Sequence, residues 1–173
     1  MKKLVIFILL FGMITPLPAA YQERDLQAVF IGRFAKFITW PSSDKEKFII
    51  TLIDENPFEN LLDDLYKDKT IHGKPIEIHY VSTVEEIGKS DILFITLDNK
   101  KEVQKVIVYA QEHSILTISE QRGFAQRGGI IQLGFVMQKT HLVINYDSAL
   151  KSKIKISAQL LAIAKEIIGG TEK

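Results

Sequence analysis

The chain has 173 residues, 46% of them apolar and 25% charged, with 22 basic residues against 21 acidic ones and no cysteine. That composition belongs to an ordinary globular domain and excludes a disordered tail or a fibre, and the length suits one domain with a core large enough to fold without staples. The balance of charge leaves no basic excess for phosphates, which argues against nucleic-acid binding; the lack of cysteine excludes a cysteine nucleophile, a thiolate metal site and a redox switch.

The first twenty residues read as an export signal. Lys2 and Lys3 form a short basic start, Leu4 to Ile14 an apolar run, Thr15 to Pro18 a break, and Ala19-Ala20 a small-residue cleavage point. The run is shorter than a comfortable membrane span, which takes about 20 apolar residues; an uncleaved anchor is the alternative reading. Cleavage would place the mature start near Tyr21. With Lys2 and Lys3 gone from the 22 basic residues, 20 remain against 21 acidic ones, a net charge of −1. No later stretch is long and apolar enough for a stable membrane span in the mature chain. Residues 21–170 then form a single domain, and 171–173 a polar tail.

Residues 22–40 are expected to form a helix: Leu26, Val29, Phe30, Phe34, Phe37 and Trp40 share one face at helical spacing. Pro41 stops it, because the residue before proline is pushed out of the α region. Residues 47–53 read as a strand, apolar nearly throughout, as a parallel strand buried on both faces would be. Asn56 and Pro57 suit the cap and first position of a following helix, with Leu61, Leu62 and Leu65 as its core face. His72-Gly73-Lys74 is a turn into a strand over 75–81. Thr83 and Glu86 form a capping box for a short helix over 83–87. A strand over 91–96, an amphipathic helix over 99–112 and a strand over 114–118 follow. Residues 120–129 are a loop with three glycines. The segments 129–137 and 141–146 pair as a hairpin around 138–140. Residues 153–168 read as a last helix, with Ile156, Leu160, Ile163 and Ile167 on its main face. The alternation predicts an α/β fold: a three-layer α/β/α sandwich with a mainly parallel sheet and a C-terminal antiparallel hairpin at or near one edge.

Local catalytic signatures are missing. No P-loop, dinucleotide fingerprint or serine elbow occurs, and none of His72, His79, His113 and His141 has a partner histidine four residues away. No cofactor or metal is expected, and the chain reads as a binding protein rather than an enzyme. Asp54 and Glu55 follow the first strand, where open α/β sheets take ligands; a small polar ligand and a simple response to the next helix dipole both account for them. Glu120, Arg127 and the glycines near them form the most unusual segment. Gly128-Gly129 either offers backbone N–H groups to an anion or only permits a turn. Arg33 falls inside the apolar arc of the first helix, and a guanidinium is not buried alone. It snorkels to solvent, pairs with a distant acid such as Glu120 or Asp147, or marks a ligand or partner surface. Leu161 and Ile168 lie outside the main face of the last helix and suit a contact site.

These segments together resemble the YfiR family of periplasmic proteins. Residues 28–41, with Phe34 and Phe37 and ending in Trp40-Pro41, are similar to the family's aromatic helix closed by Trp-Pro. Pro57-Phe58 matches a second feature, and His72-Gly73-Lys74-Pro75-Ile76 resembles a basic turn into a strand. Gly123-Phe124, Gly128-Gly129-Ile130-Ile131 and Ile144-Asn145 are similar to the C-terminal half, and residues 157–164 to its closing helix. The family often has glycine where Asp54 stands and Cys-His where Ser90-Asp91 stands. Its disulfides have no counterpart here.

The resemblance implies an α/β regulator in the periplasm, often dimeric and without catalytic residues. Such a protein restrains a membrane-bound diguanylate cyclase by binding its periplasmic sensor region, and its release raises cyclic-di-GMP and favours biofilm growth. The expected partners are therefore a membrane sensor protein and a second copy of the chain. A periplasmic solute-binding protein is the alternative, with its ligand at the strand ends near Asp54 to Phe58, Asp98 and Glu120.

Overall fold

The computed structural model describes residues 19–136 and 139–170. The expected leader up to Pro18, residues Met137 and Gln138 of the expected hairpin turn, and the tail 171–173 lie outside them.

The chain opens with helix α1 (Ala19–Phe34), a 3-10 turn (Ala35–Phe37) and the two-residue strand β1 (Ile38–Thr39). Strand β2 (Phe48–Ile53), helix α2 (Leu61–Tyr66), and strands β3 (Thr70–Ile71) and β4 (Lys74–Val81) follow. After a 3-10 turn at Val84–Glu86 come β5 (Ile92–Ile95), α3 (Lys100–Glu112) and β6 (Leu116–Ser119). A further 3-10 turn (Ala125–Arg127) leads to β7 (Ile131–Val136) and β8 (Lys139–Asn145). The chain closes with α4 (Tyr146–Lys151), β9 (Lys155–Ile156), α5 (Ala158–Ala162) and β10 (Glu166–Ile168).

Eight strands form one sheet in the order β10-β8-β7-β6-β5-β2-β4-β3. The five from β4 to β7 are all parallel. β8 runs antiparallel to β7, β10 lies parallel to β8, and β3 folds back on β4. This is the α/β sandwich the alternation predicts, hairpin included.

Period-two alternation sends neighbouring side chains to opposite faces, and both faces are buried. In β5, Ile92 and Phe94 join a core with Ile50, Leu52, Leu116 and Ile118, covered by Ile31 and Phe34 of α1, Leu62 and Tyr66 of α2, and Leu160 of α5. Leu93 and Ile95 join a second core with Ile53 and Phe124, covered by Val103, Val106, Ile107 and Ala110 of α3. All four β5 side chains are fully buried, each worth about 1.5–3 kcal/mol in apolar burial. Asn99 caps α3, its carboxamide oxygen accepting from Lys101 N–H at 2.9 Å. The Glu86 carboxylate reaches back to the N–H groups of Ser82 and Thr83 at 2.9 and 3.1 Å, as in the Thr83–Glu86 capping box that the sequence predicts.

Two predicted helices are shorter than their periodicity implies. The first ends at Phe34, not Trp40, because Ile38 and Thr39 pair antiparallel with Ile156 and Lys155, an extended partner that periodicity cannot reveal. The helix expected over 153–168 is replaced by β9, the five-residue α5 and β10. Ser157 caps α5, its hydroxyl accepting from Leu160 N–H at 3.3 Å, and Lys165 N–H donates to Leu142 carbonyl at 2.8 Å to start β10 beside β8. Backbone pairing at both ends outcompetes a helix in the middle. Helix α4 was not read from the sequence; Asn145 begins it, accepting from Ser148 N–H at 2.8 Å.

Candidate functional site

Strands β4-β2-β5-β6-β7 have their connections reverse direction between β2 and β5, so the crevice favoured by ligands lies at the carboxyl ends of those two strands. Here Thr96 bridges it. Its hydroxyl donates to Ile53 carbonyl at 2.8 Å and accepts the Glu55 N–H at 2.9 Å. Gln121 closes the same end, its amide donating to the carbonyls of Thr96 and Leu97 and lying 3.4 Å from an Asp98 carboxylate oxygen. Asp54 and Glu55 stand outside this strap, exposed. Asp54 has φ +80°, a left-handed conformation, and its N–H donates to Val81 carbonyl at 2.9 Å. Where the resembled family often has glycine, this chain holds an aspartate in a glycine's conformation. Pro57 offers its carbonyl to Arg24 at 3.2 Å, and Phe58 packs edge-on against Phe94 at 5.1 Å.

Glu120 accepts from the Gln27 amide at 2.7 Å, beside a groove of about 570 Å³ between the start of α1 and the ends of β6 and β7. Neither Glu120 nor Asp147 forms the ion pair with Arg33 that the sequence left open. Asp147 instead accepts the Gly170 N–H at 3.1 Å. Arg33 is exposed, because the arc that places it among Phe30, Phe37 and Trp40 assumes a helix that in fact ends one residue later.

The glycine loop is a self-contained turn. Gly128 and Gly129 donate their N–H groups to Ala125 and Phe124 carbonyls, both at 3.1 Å, so neither is left for an anion. A side chain at Gly129 would strike the buried Phe124 ring. Arg127 folds over Gly123, its guanidinium donating to Arg122 carbonyl at 3.1 Å and lying 3.4 Å from the Gln121 carboxamide oxygen. Asn145 ties the loop to α4, donating to Ala125 carbonyl at 2.8 Å.

Two segments that the sequence reading kept apart, the helix end at Trp40-Pro41 and the turn at His72-Gly73-Lys74, meet in space. They enclose a cavity of about 300 Å³ with Phe48 and Asp91. Trp40 packs edge-on against Phe48 at 5.4 Å and His72 at 5.9 Å. Its indole N–H donates to Asp91 carbonyl at 3.2 Å. The His72 ring reaches Ala35 carbonyl at 3.0 Å, and Phe37 packs partly buried nearby against the same core. The Asp91 carboxylate, nearly buried, accepts Ile49 N–H at 2.8 Å and pairs with Lys45. The sequence reading missed this juxtaposition. Only the tertiary fold brings the two segments together; the usable signal was that both carry aromatic or imidazole side chains at element ends.

At the C-terminal edge, Leu161 and Ile168 are half-buried, Leu161 against the core. The side chains that face solvent are Ile163 and Ile167, at 66% and 46% exposure. The helical wheel placed them the other way round, because it assumed one continuous helix. β10 forms the sheet edge, so these exposed isoleucines stand beside unpaired backbone. Among the described residues, no group of three or more His, Cys, Asp or Glu side chains is placed to hold a metal ion.

The fold and these surfaces define a small α/β domain whose polar groups are mostly committed to holding its own loops. A family model, DUF4154, described as YfiR/HmsC-like, matches residues 24–165. The chain belongs to this family, one of periplasmic regulatory proteins. Among solved structures it is similar to a conserved domain protein of Vibrio cholerae O1 biovar eltor (16% identity, TM-score 0.58, covering 83% of this chain and 60% of that one). It is also similar to the ABC domain, in complex with L-Trp, from Streptococcus pneumoniae (15% identity, TM-score 0.56, 84% of this chain and 60% of that one). At these identities the likeness is one of fold, and the chain spans 60% of the length of either structure. No curated protein matches it significantly. Among the described residues no helix is long and apolar enough to cross a membrane.

Proposed function

We propose that the chain is exported by the leader over its first twenty residues and acts in the periplasm as a regulatory binding protein. It restrains a membrane-bound signalling protein, such as a diguanylate cyclase, by contacting that protein's periplasmic sensor region, and it works without catalysis. The observation that carries this reading is the family match over residues 24–165. The edge strand β10 supports it: Ile163 and Ile167 expose apolar surface beside open backbone, a combination that suits a protein contact. The same edge suits a second copy of the chain.

The test is capture of the mature domain's partners from membranes by cross-linking and mass spectrometry, with Ile163→Glu and Ile167→Glu alongside. Recovery of a membrane protein bearing a periplasmic sensor and a cytoplasmic cyclase, lost in both variants, is the expected result. Recovery of the chain alone would instead favour self-association or a solute receptor, and would turn attention to the cavity beside Trp40.

A further inference from the structure

One groove combines an apolar floor with an excess of cations around it. It lies between α1 and the α2–β3 segment, has a volume of about 560 Å³, and has Val29, Leu65, Ile71 and Ile76 among its apolar lining. All four are only partly buried, so the floor is apolar surface left in contact with water. Around it stand three cations, Arg33, Lys36 and Lys69, against one acid, Asp68. The whole chain carries a net charge of only +1, so this is a local concentration and not the overflow of a basic protein.

These cations are also unspent. Lys45, Lys47 and Lys105 each hold an acid elsewhere on the molecule. None of the side chains of Arg33, Lys36 and Lys69 forms an ion pair or hydrogen bond with a described residue. Burial pushes the Tyr66 pKa up, and the charge of Arg33, which lines the same groove, opposes part of that push. The walls are held in place. The Tyr66 hydroxyl is bonded into α1, and Lys69 is fixed through its backbone to Tyr66 and Ile76.

We infer that this groove binds a small amphipathic carboxylate, its apolar body on the Val29–Leu65–Ile71–Ile76 floor and its carboxylate between Arg33 and Lys69. The volume falls in the range of about 300–1,000 Å³ typical of small-molecule sites, which pair an apolar lining with a few convergent polar groups. A guanidinium matches a carboxylate with two parallel hydrogen bonds. A partly apolar setting strengthens the pairing relative to open water. A cationic amphiphile would be repelled, and a neutral one would gain only the floor.

Calorimetric titration with octanoate and with 1-octanol tests this, because the two share a body and differ in charge. Octanoate is expected to bind, to weaken as salt is raised, and to exceed octanol at least tenfold. Arg33→Gln and Lys69→Gln should each weaken octanoate severalfold and leave octanol unchanged, while Lys100→Gln, on the opposite face of the sheet, should change neither. All three side chains are exposed, so the variants should fold; an unchanged near-ultraviolet spectrum checks that. Equal affinity for the two ligands, or undiminished octanoate binding by Arg33→Gln, overturns the inference. So does binding of a short acidic amphipathic peptide, titrated in parallel, when octanoate fails to bind.

Discussion

The Tyr66 hydroxyl takes the place of a backbone hydrogen bond in α1: it accepts the Gly32 N–H at 2.8 Å and donates to the Ala28 carbonyl at 2.7 Å. An uninterrupted helix would join those two groups to each other, and a side chain inserted between them is a recognised cause of helix bending. A Cβ at position 32 would lie within 2.6 Å of three Tyr66 atoms, so glycine is what admits the ring. Gly32→Ala is expected to cost about 1–3 kcal/mol by overpacking, and Tyr66→Phe about 1–3 kcal/mol by stranding polar groups. Urea denaturation of both variants measures this. A Gly32→Ala protein as stable as the parent would mean that α2 does not lock α1 here.

The same hydroxyl gives the fold a pH dependence at the alkaline end. Burial pushes the Tyr66 pKa up to about 12, with the Gly32 N–H and the Arg33 charge pulling the other way. Unfolded tyrosine titrates near pH 10, so above that pH the unfolded chain loses a proton that the folded chain keeps. The contribution is complete below pH 10 and is lost as pH rises from 10 toward 12. Its slope is at most about 1.4 kcal/mol per pH unit. Stability curves of wild type and Tyr66→Phe should converge across that window. Parallel curves would contradict the buried hydroxyl.

Asp54 sits at φ +80°, where an L-residue other than glycine is strained by about 1–2 kcal/mol, less for aspartate, which tolerates the region. Glycine relieves the strain but frees the unfolded chain. The first effect is expected to win, so Asp54→Gly should raise stability by up to about 1 kcal/mol in the same urea assay. A loss of stability would reveal that the Asp54 carboxylate contributes something the backbone does not show.

The part of the fold that was legible from sequence is the part governed by burial pattern. β5 reads as a continuous apolar run because both of its faces are covered, and α3 reads cleanly because Val103, Val106, Ile107 and Ala110 repeat at helical spacing and Asn99 caps it. What escaped was decided by partners far along the chain. Trp40 lies on a helical arc with Phe30 and Phe37, yet Ile38 is already in a strand because Ile156 pairs with it. The candidate surfaces were less legible still. Arg33 stood out as a cation among aromatics, but the groove beside it depends on β3, whose two residues carry no signal. The Trp40–His72 cavity joins motifs that only the sheet brings together.

The broken C-terminal segment can be tested directly. In a continuous helix Leu160 and Ile163 would share a face and lose similar stability on truncation. In this structure Leu160 is 1% exposed and Ile163 is 66% exposed. Leu160→Ala should cost about 2–5 kcal/mol, and Ile163→Ala no more than about 0.5 kcal/mol. Similar losses for the two would restore the helix.

The pairing of Ile38 with Ile156, reinforced by the Ser157 N–H donated to Phe37 carbonyl at 2.9 Å, sets an order of assembly. A chain that emerges N-terminus first makes α1 well before β9, yet cannot fasten the far end of α1 until residues 155–157 have appeared. Closure over so long a separation slows folding. Meanwhile the part of the core beneath α1 that Ile156 and Leu160 complete stays open, the kind of surface that chaperones shelter and that aggregates when they do not. An element made well before its partner is thus secured at its far end only late.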